Sequence, residues 1–115
     1  MMDSEIKGKT VELVKIIKST EEYKKREELF MRLSGNPVNT AFLAQYEKTR
    51  NELRMAAAGN IQPSSEKIHE FEKLNTFLYS DEIMGEYLIL QMRIEQMVSD
   101  VIGFVLNECR INPDV

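Results

Sequence analysis

Residues 81–110 read DEIMGEYLILQMRIEQMVSDVIGFVLNECR, which is the longest stretch of helical periodicity in the chain. A single α-helix of this length would extend roughly 45 Å. Two apolar series recur every seven residues and a third apolar set lies beside them, so the apolar stripe is wider than one flanking helix can cover. The first series is Tyr87, Ile94 and Val101, and the second is Leu90, Met97, Phe104 and Ile111. The third set is Met84, Leu88, Val98, Ile102, Val105 and Leu106.

The width of this stripe predicts that the last helix is covered on two sides, by its own chain and by a second copy. Full burial of one large apolar side chain stabilises by about 1.5–3 kcal/mol, so leaving the stripe in water would be costly. We expect six residues of the last helix, called the predicted seam below, to form the centre of a dimer interface. They are Tyr87, Leu90, Ile94, Met97, Val101 and Phe104.

Helical periodicity also predicts four shorter helices before residue 81. They lie near residues 4–18, 20–34, 37–58 and 65–78, with a loop at residues 61–65. On the first of them, one face carries Ile6, Thr10, Leu13, Val14 and Ile17. We expect Asp3 or Ser4 to cap this first helix, and Ser64 or Ser65 to cap the fourth.

The two breaks around the second helix carry typical capping signals. Ser19 with Glu22 three residues later has the pattern of a capping box, in which each side chain satisfies a free backbone N–H group. Gly35 is predicted to end the second helix in a left-handed conformation. Asn36 then caps the third helix, and Pro37 takes its first position, where the missing N–H group costs nothing.

Length and composition agree with one helical domain. A chain of 115 residues has room for one domain, and 43% apolar with 30% charged residues can bury a core. Five Gly and three Pro provide little material for many short turns. We therefore predict an all-α fold, a small bundle of about five helices with a long C-terminal helix, over residues 1–115.

Charge and targeting features limit the classes of function that the chain can have. The formal net charge of −4 argues against a protein that coats nucleic acid, so direct nucleic-acid contact is not expected. The start MMDSE has acids where a signal peptide needs positive charge, and no apolar run approaches the length of a membrane span. With a single Cys, these features predict a cytoplasmic protein without a membrane partner.

The chain offers little for catalysis or metal binding. Glu66 and His69 stand three apart on a helix, the spacing of half a di-iron carboxylate site, but one chain with one His cannot complete such a site. A metal-binding helical sensor or enzyme, with the site shared between subunits, remains the alternative function. Cys109 with His69 could form a thiol–imidazole pair, for which no orienting third group is evident.

The N-terminal third carries a run of basic residues. Residues 24–26 read KKR, and Glu21, Glu22, Glu27 and Glu28 flank this run. Phosphate contacts favour uninterrupted positive charge. We therefore interpret residues 24–28 as a solvated helix surface and not as an RNA-binding face.

Three motifs occur in a fixed order along the chain. They are STEEYK at residues 19–24, NP at residues 36–37 followed by Phe42 and Tyr46, and DEI at residues 81–83 leading into EYL at residues 86–88 and the long last helix. In order and spacing they resemble the YlbF/YmcA family of small helical regulators from Gram-positive bacteria, over about residues 4–110. Two positions depart from the family pattern: Gln91, where members often carry a glutamate, and Asn36, where aspartate is more usual. These departures leave open which branch of the family the chain represents.

The resemblance implies an all-α protein that self-associates or pairs with a family relative and has no catalytic activity of its own. Members regulate competence, sporulation and biofilm formation, and some act in a complex tied to ribonuclease Y and mRNA maturation. Parts of that complex are linked to an iron–sulfur cluster held by cysteines. Because this chain offers only Cys109 and a cluster usually needs four thiolates, one chain cannot hold a cluster. No cofactor is expected, and a cluster shared among several chains stays open.

Overall fold

Five α-helices make up the regular structure of residues 2–111, the part of the chain that the computed structural model describes. Their bounds are α1 Ser4–Lys18, α2 Glu21–Leu33, α3 Pro37–Ala58, α4 Ser65–Tyr79 and α5 Glu82–Glu108. No strand occurs among these described residues. The prediction of an all-α bundle with a long last helix is confirmed, and each helix end lies within two residues of its expected place.

Side-chain caps begin three of the helices as predicted. Asp3 Oδ1 accepts a hydrogen bond from the backbone N–H of Glu5 at 2.9 Å. Asn36 Oδ1 accepts from the backbone N–H of Val38, also at 2.9 Å. The Ser64 hydroxyl accepts from an N–H group in the first turn of α4. Each cap satisfies a backbone donor that the helix itself leaves without a partner.

The predicted capping box at Ser19 and Glu22 is wrong. The residue that caps α2 is Thr20, whose Oγ1 accepts from the backbone N–H of Tyr23 at 3.3 Å. The Ser19 hydroxyl instead donates back to the carbonyl of Ile16 at 2.6 Å. A serine hydroxyl can bond to the preceding helical turn as readily as to the next one, so Ser19 closes α1 and leaves the cap to its neighbour.

Gly35 does not adopt the predicted left-handed conformation. Among the glycines of residues 2–111, none has a positive φ. The chain leaves α2 through a tight turn in which the N–H of Asn36 donates to the carbonyl of Leu33 at 3.2 Å. Left-handed backbone occurs instead at Asn60 after α3 and at Arg110 after α5, each with φ of 55°.

The chain divides into two compact units. The first comprises residues 1–28 and 89–115, of which residues 2–28 and 89–111 are described, and the second comprises residues 29–88. The helices α2 and α5 each contribute residues to both units.

The second unit contains a continuous apolar core. Its buried members are Leu33, Leu43, Tyr46, Leu78, Met84 and Leu88. Half-buried side chains surround them, namely Phe42, Phe71, Leu74, Ile83 and Tyr87. The rings of Tyr46 and Phe71 stack with centroids 5.2 Å apart and an angle of 28° between their planes. This core fixes the packing of α3 and α4 with the end of α2 and the start of α5.

Polar and backbone contacts complete the second unit. Lys67 on α4 forms an ion pair with Glu52 on α3. At the α4–α5 turn, the buried Gly85 lies against Tyr79, and a Cβ at Gly85 would come within 3.5 Å of that residue. Such a distance is an ordinary van der Waals contact, so this close approach is compatible with either glycine or alanine.

Candidate interaction surface

The first unit has almost no core of its own. Among its described residues only Leu90 and Ile94 are buried, each with 7% of its surface exposed. Helix α1 contains no buried residue. A folded unit usually buries a continuous apolar cluster, and two side chains on one helix do not provide one.

Large apolar side chains in this unit face solvent instead. On α1 and on the C-terminal part of α5 they are Ile6, Val11, Val14, Ile16, Val98, Ile102, Phe104 and Val105. Phe104 has 67% of its surface exposed. Single exposed apolar residues are common, whereas many on two helices of one unit are typical of a surface that binds another protein.

The six residues of the predicted seam lie in different environments. Leu90 and Ile94 are buried by their own chain, and Met97 and Val101 are half-buried. Phe104 is exposed. Tyr87 belongs to the second unit, where its ring centroid lies 6.1 Å from that of Phe30. The accessible part of the seam is therefore its C-terminal half, and the dimer interface stays a prediction.

A polar network that the sequence analysis missed lies beside the seam, within the first unit. Arg26 Nη1 donates to Oε1 of Gln91 at 2.7 Å, and Nη2 donates to Glu27 at 2.8 Å. The guanidinium also lies 4.8 Å from the ring centroid of Tyr23. Its side chain is only 17% exposed. The expectation that residues 24–28 are uniformly solvated is thus wrong for Arg26, because its partner lies far away in the sequence.

A second apolar feature lies in the unit of residues 29–88. A groove of about 310 Å³ is lined by Val38, Asn39, Phe42, Phe77, Leu78, Ser80, Asp81 and Met84. The rings of Phe42 and Phe77 form one wall, with centroids 4.9 Å apart. Asp81 lies at the edge, where its Oδ1 accepts from the backbone N–H of Met84 at 2.8 Å and so caps α5.

The second unit also buries a cation. Arg50 is buried on α3, with its guanidinium 5.8 Å from the ring centroid of Tyr46 and 3.7 Å from a carboxylate oxygen of Glu47. Partial burial raises the pKa of Tyr79, and the neighbouring Tyr46 acts in the same direction. Buried charges need such partners, so we regard this cluster as a packing element of the unit.

The candidate chemical residues are exposed. Glu66 and His69 both lie on the solvent side of α4, and Cys109 is an exposed free thiol after α5. Within residues 2–111, no group of three or more His, Cys, Asp or Glu side chains is arranged to hold a metal ion. A metal site on Glu66 and His69 would thus need further ligands from another copy. Over the same residues, each helix is too short or too polar to span a bilayer.

Comparison with known proteins identifies the family. A solved structure, a protein of unknown function (DUF964) from Bacillus stearothermophilus, matches with a TM-score of 0.70 over 93% of this chain and 94% of that one, at 9% identity. At that identity the likeness shows the fold. The UPF0342 protein STH1710 of Symbiobacterium thermophilum is 25% identical over 89 residues, which cover 77% of this chain and 80% of that protein. Residues 6–107 match the family model described as control of competence regulator ComK, YlbF/YmcA. The chain therefore belongs to the YlbF/YmcA family of competence-control regulators.

Proposed function

We propose that this protein is a non-enzymatic regulatory adaptor that works in the cytoplasm by binding other proteins. The observation that carries the proposal is the unfinished first unit, in which α1 has no buried residue and Phe104 stands largely in water. Such a surface would be costly for a monomer, and a partner protein would cover it. Membership of a competence-control family supports a regulatory role.

Self-association through α5 is part of this proposal. Met97, Val101 and Phe104 form the part of the predicted seam that a second copy or a family relative can reach. Leu90 and Ile94 would support this surface from within their own chain. A homodimer and a heteromer with a family relative would use the same face of α5. How well the relative's apolar stripe matches this face would decide which of the two forms.

The regulated processes follow from the resemblance described above. We propose that the protein acts in competence, sporulation or biofilm formation, as part of a complex that modulates ribonuclease Y and mRNA maturation. An adaptor needs binding surfaces, and the exposed apolar side chains of the first unit agree with that role.

Sedimentation velocity tests the self-association. We expect the purified protein to sediment as a dimer at micromolar concentration, and Met97→Asp to sediment as a folded monomer, because a buried unpaired charge is costly. Met31→Asp is the matched control, since Met31 lies on α2 in the second unit and is exposed. A compact wild-type monomer at all concentrations would contradict the proposal.

A genetic test addresses the regulatory role. Deletion of the gene in its native host should alter competence and the processing of transcripts that depend on ribonuclease Y. Wild-type protein and Met31→Asp should restore both, and Met97→Asp should restore neither. Full complementation by a monomeric Met97→Asp would show that the seam is dispensable for regulation.

A further inference from the structure

Helix α1 carries a second stripe that its own chain does not cover. Lys7, Val11, Val14 and Lys18 are spaced four, three and four residues apart, so they lie on one face of the helix. All four are exposed. The half-buried Leu13 lies on a different face. We call this set the lysine stripe.

The C-terminal part of α5 carries a stripe of opposite charge within the same unit. Its members, spaced three or four residues apart, are Glu95, Val98, Ile102, Val105 and Glu108. The three apolar members are exposed in the chain itself. We call this set the acidic stripe.

The two stripes match in charge and in length. Helix α1 has four lysines and two glutamates, a net charge of +2, whereas residues 89–108 have one arginine and three acids, a net charge of −2. At 1.5 Å per residue, the lysine stripe is about 17 Å long and the acidic stripe about 20 Å long. Each is an apolar centre with a charge at both ends, so one stripe can cover the other along its whole length.

The apolar centres of the two stripes supply part of the apolar area of an interface of ordinary size. Five apolar side chains lie in the two stripes and are exposed, each by roughly half. Full burial of a large apolar side chain removes about 60–120 Å² of apolar surface from water, so five half-exposed side chains offer roughly 150–300 Å² in total. A standard interface covers about 800 Å² per partner, a little more than half of it apolar.

We propose that the lysine stripe of one copy packs against the acidic stripe of a second copy. Both complementary stripes lie on the same chain, so a two-fold axis forms the pairing twice and covers both stripes of both copies. This inference rests on the proposed self-association and deepens it. It adds α1 and an adjacent face of α5 to the seam residues Met97, Val101 and Phe104.

Charge reversal in two separate variants tests the pairing. The first variant is Lys7→Glu with Lys18→Glu, and the second is Glu95→Lys with Glu108→Lys. Each alone places like charges opposite one another, and we expect each to raise the dimer dissociation constant about ten- to hundredfold at low salt, where surface charges are least screened. Mixed in equal amounts, the two variants should form a heterodimer with close to wild-type affinity, because every stripe then meets its opposite charge.

A matched control and a second measurement secure the interpretation. Lys48→Glu with Lys73→Glu changes the net charge by the same amount as Lys7→Glu with Lys18→Glu, at exposed sites of the second unit, and should dimerise like the wild type. In a Cys109→Ser background, a Val14→Cys chain mixed with an Ile102→Cys chain should form an interchain disulfide, while Met31→Cys with Ile102→Cys should not. Circular dichroism checks that every variant is folded.

The outcomes separate the inference from the proposed function. Weakened single variants, a restored mixture and the specific disulfide support the pairing. If folded charge-reversal variants of either stripe dimerise as tightly as the wild type, the pairing is overturned while self-association stands. The same holds if mixing the two variants does not restore affinity. A wild-type protein that stays monomeric at every concentration overturns both.

Discussion

Arg26 on α2 donates from Nη1 to the side-chain oxygen of Gln91 on α5, over a distance of 2.7 Å and a separation of 65 residues in sequence. The guanidinium is largely shielded, with Tyr23 beneath it and Glu27 on its second nitrogen. Gln91 is also the position at which the resemblance to the family leads one to expect a glutamate. Within residues 2–111, the carboxylate that pairs with Arg26 is that of Glu27, and the amide of Gln91 carries no charge.

Gln91→Glu should stabilise the fold by up to about 1 kcal/mol, because the carboxylate adds an ion pair with the largely shielded guanidinium of Arg26, whose present partner at this position is a neutral amide. The exposed loop residue Gln62 provides the control, since Gln62→Glu adds the same charge without a buried partner. Urea unfolding at neutral pH measures both variants. Equal midpoints for the two would contradict the assigned role of Arg26.

The Glu52–Lys67 ion pair should make stability depend on pH. The hydrogen bond from Lys67 lowers the pKa of Glu52, and the hydrogen bond to Glu52 raises the pKa of Lys67. A lowered carboxyl pKa contributes stability above the unfolded-state pKa, and this contribution is lost as pH falls through the lowered folded-state value. The raised pKa of Lys67 contributes below its unfolded-state value and is lost as pH rises through the raised one.

Glu52→Gln should therefore flatten the acid limb of the stability profile. Glu72→Gln, at an exposed site on α4, should leave the profile close to that of the wild type. Denaturant unfolding from about pH 3 to about pH 8 covers the relevant range for a carboxyl group. An acid limb that stays unchanged in Glu52→Gln would show that the pair contributes nothing in solution.

Two adjacent positions of α5 should differ sharply in their tolerance of truncation. Leu88 is 1% exposed in the core of the second unit, so Leu88→Ala should cost about 2–5 kcal/mol and can unfold the chain. The next residue, Ile89, faces solvent, and we expect Ile89→Ala to cost less than about 1 kcal/mol. Thermal unfolding followed by circular dichroism compares them. Similar losses for both would contradict the burial of Leu88 in the core of the second unit.

Alanine at Gly103 should stabilise α5. A Cβ at this position would meet no atom within 4 Å, and the backbone has an ordinary negative φ. The expected gain is about 0.5–1 kcal/mol from helix propensity and reduced unfolded-state entropy. Gly85→Ala should gain less, because its Cβ must fit beside Tyr79. A loss of stability in Gly103→Ala would reveal a neighbour that this chain alone does not supply.

Local features of this fold could be predicted from the sequence because their causes are local. Asp3, Asn36 and Ser64 cap their helices through bonds to N–H groups two or three residues away, and the spacing of apolar residues located all five helices. Where two adjacent hydroxyl residues compete, as Ser19 and Thr20 do, spacing alone does not decide which one caps.

Features that depend on distant residues could not be predicted in the same way. Arg26 lies in a run of charges that resembles a solvated surface, and only the fold brings Gln91 to it. The helical pattern of α1 indicated one apolar face, whereas Val11 and Ile16 lie outside that face and are exposed. Of these two, Val11 was a readable signal of the second face that we propose for α1, which a single-face interpretation discards.

The uneven distribution of buried side chains also determines where the native chain opens most readily. Backbone amides near Leu78 and Leu88 are held by the core of the second unit and should exchange their hydrogens with solvent only on global unfolding. Amides of α1 and of the last turns of α5 are not held by this core. They should exchange through local fraying, which costs little free energy. A bound partner should slow hydrogen exchange in α1 and in the last turns of α5, while exchange in the middle of the chain stays unchanged.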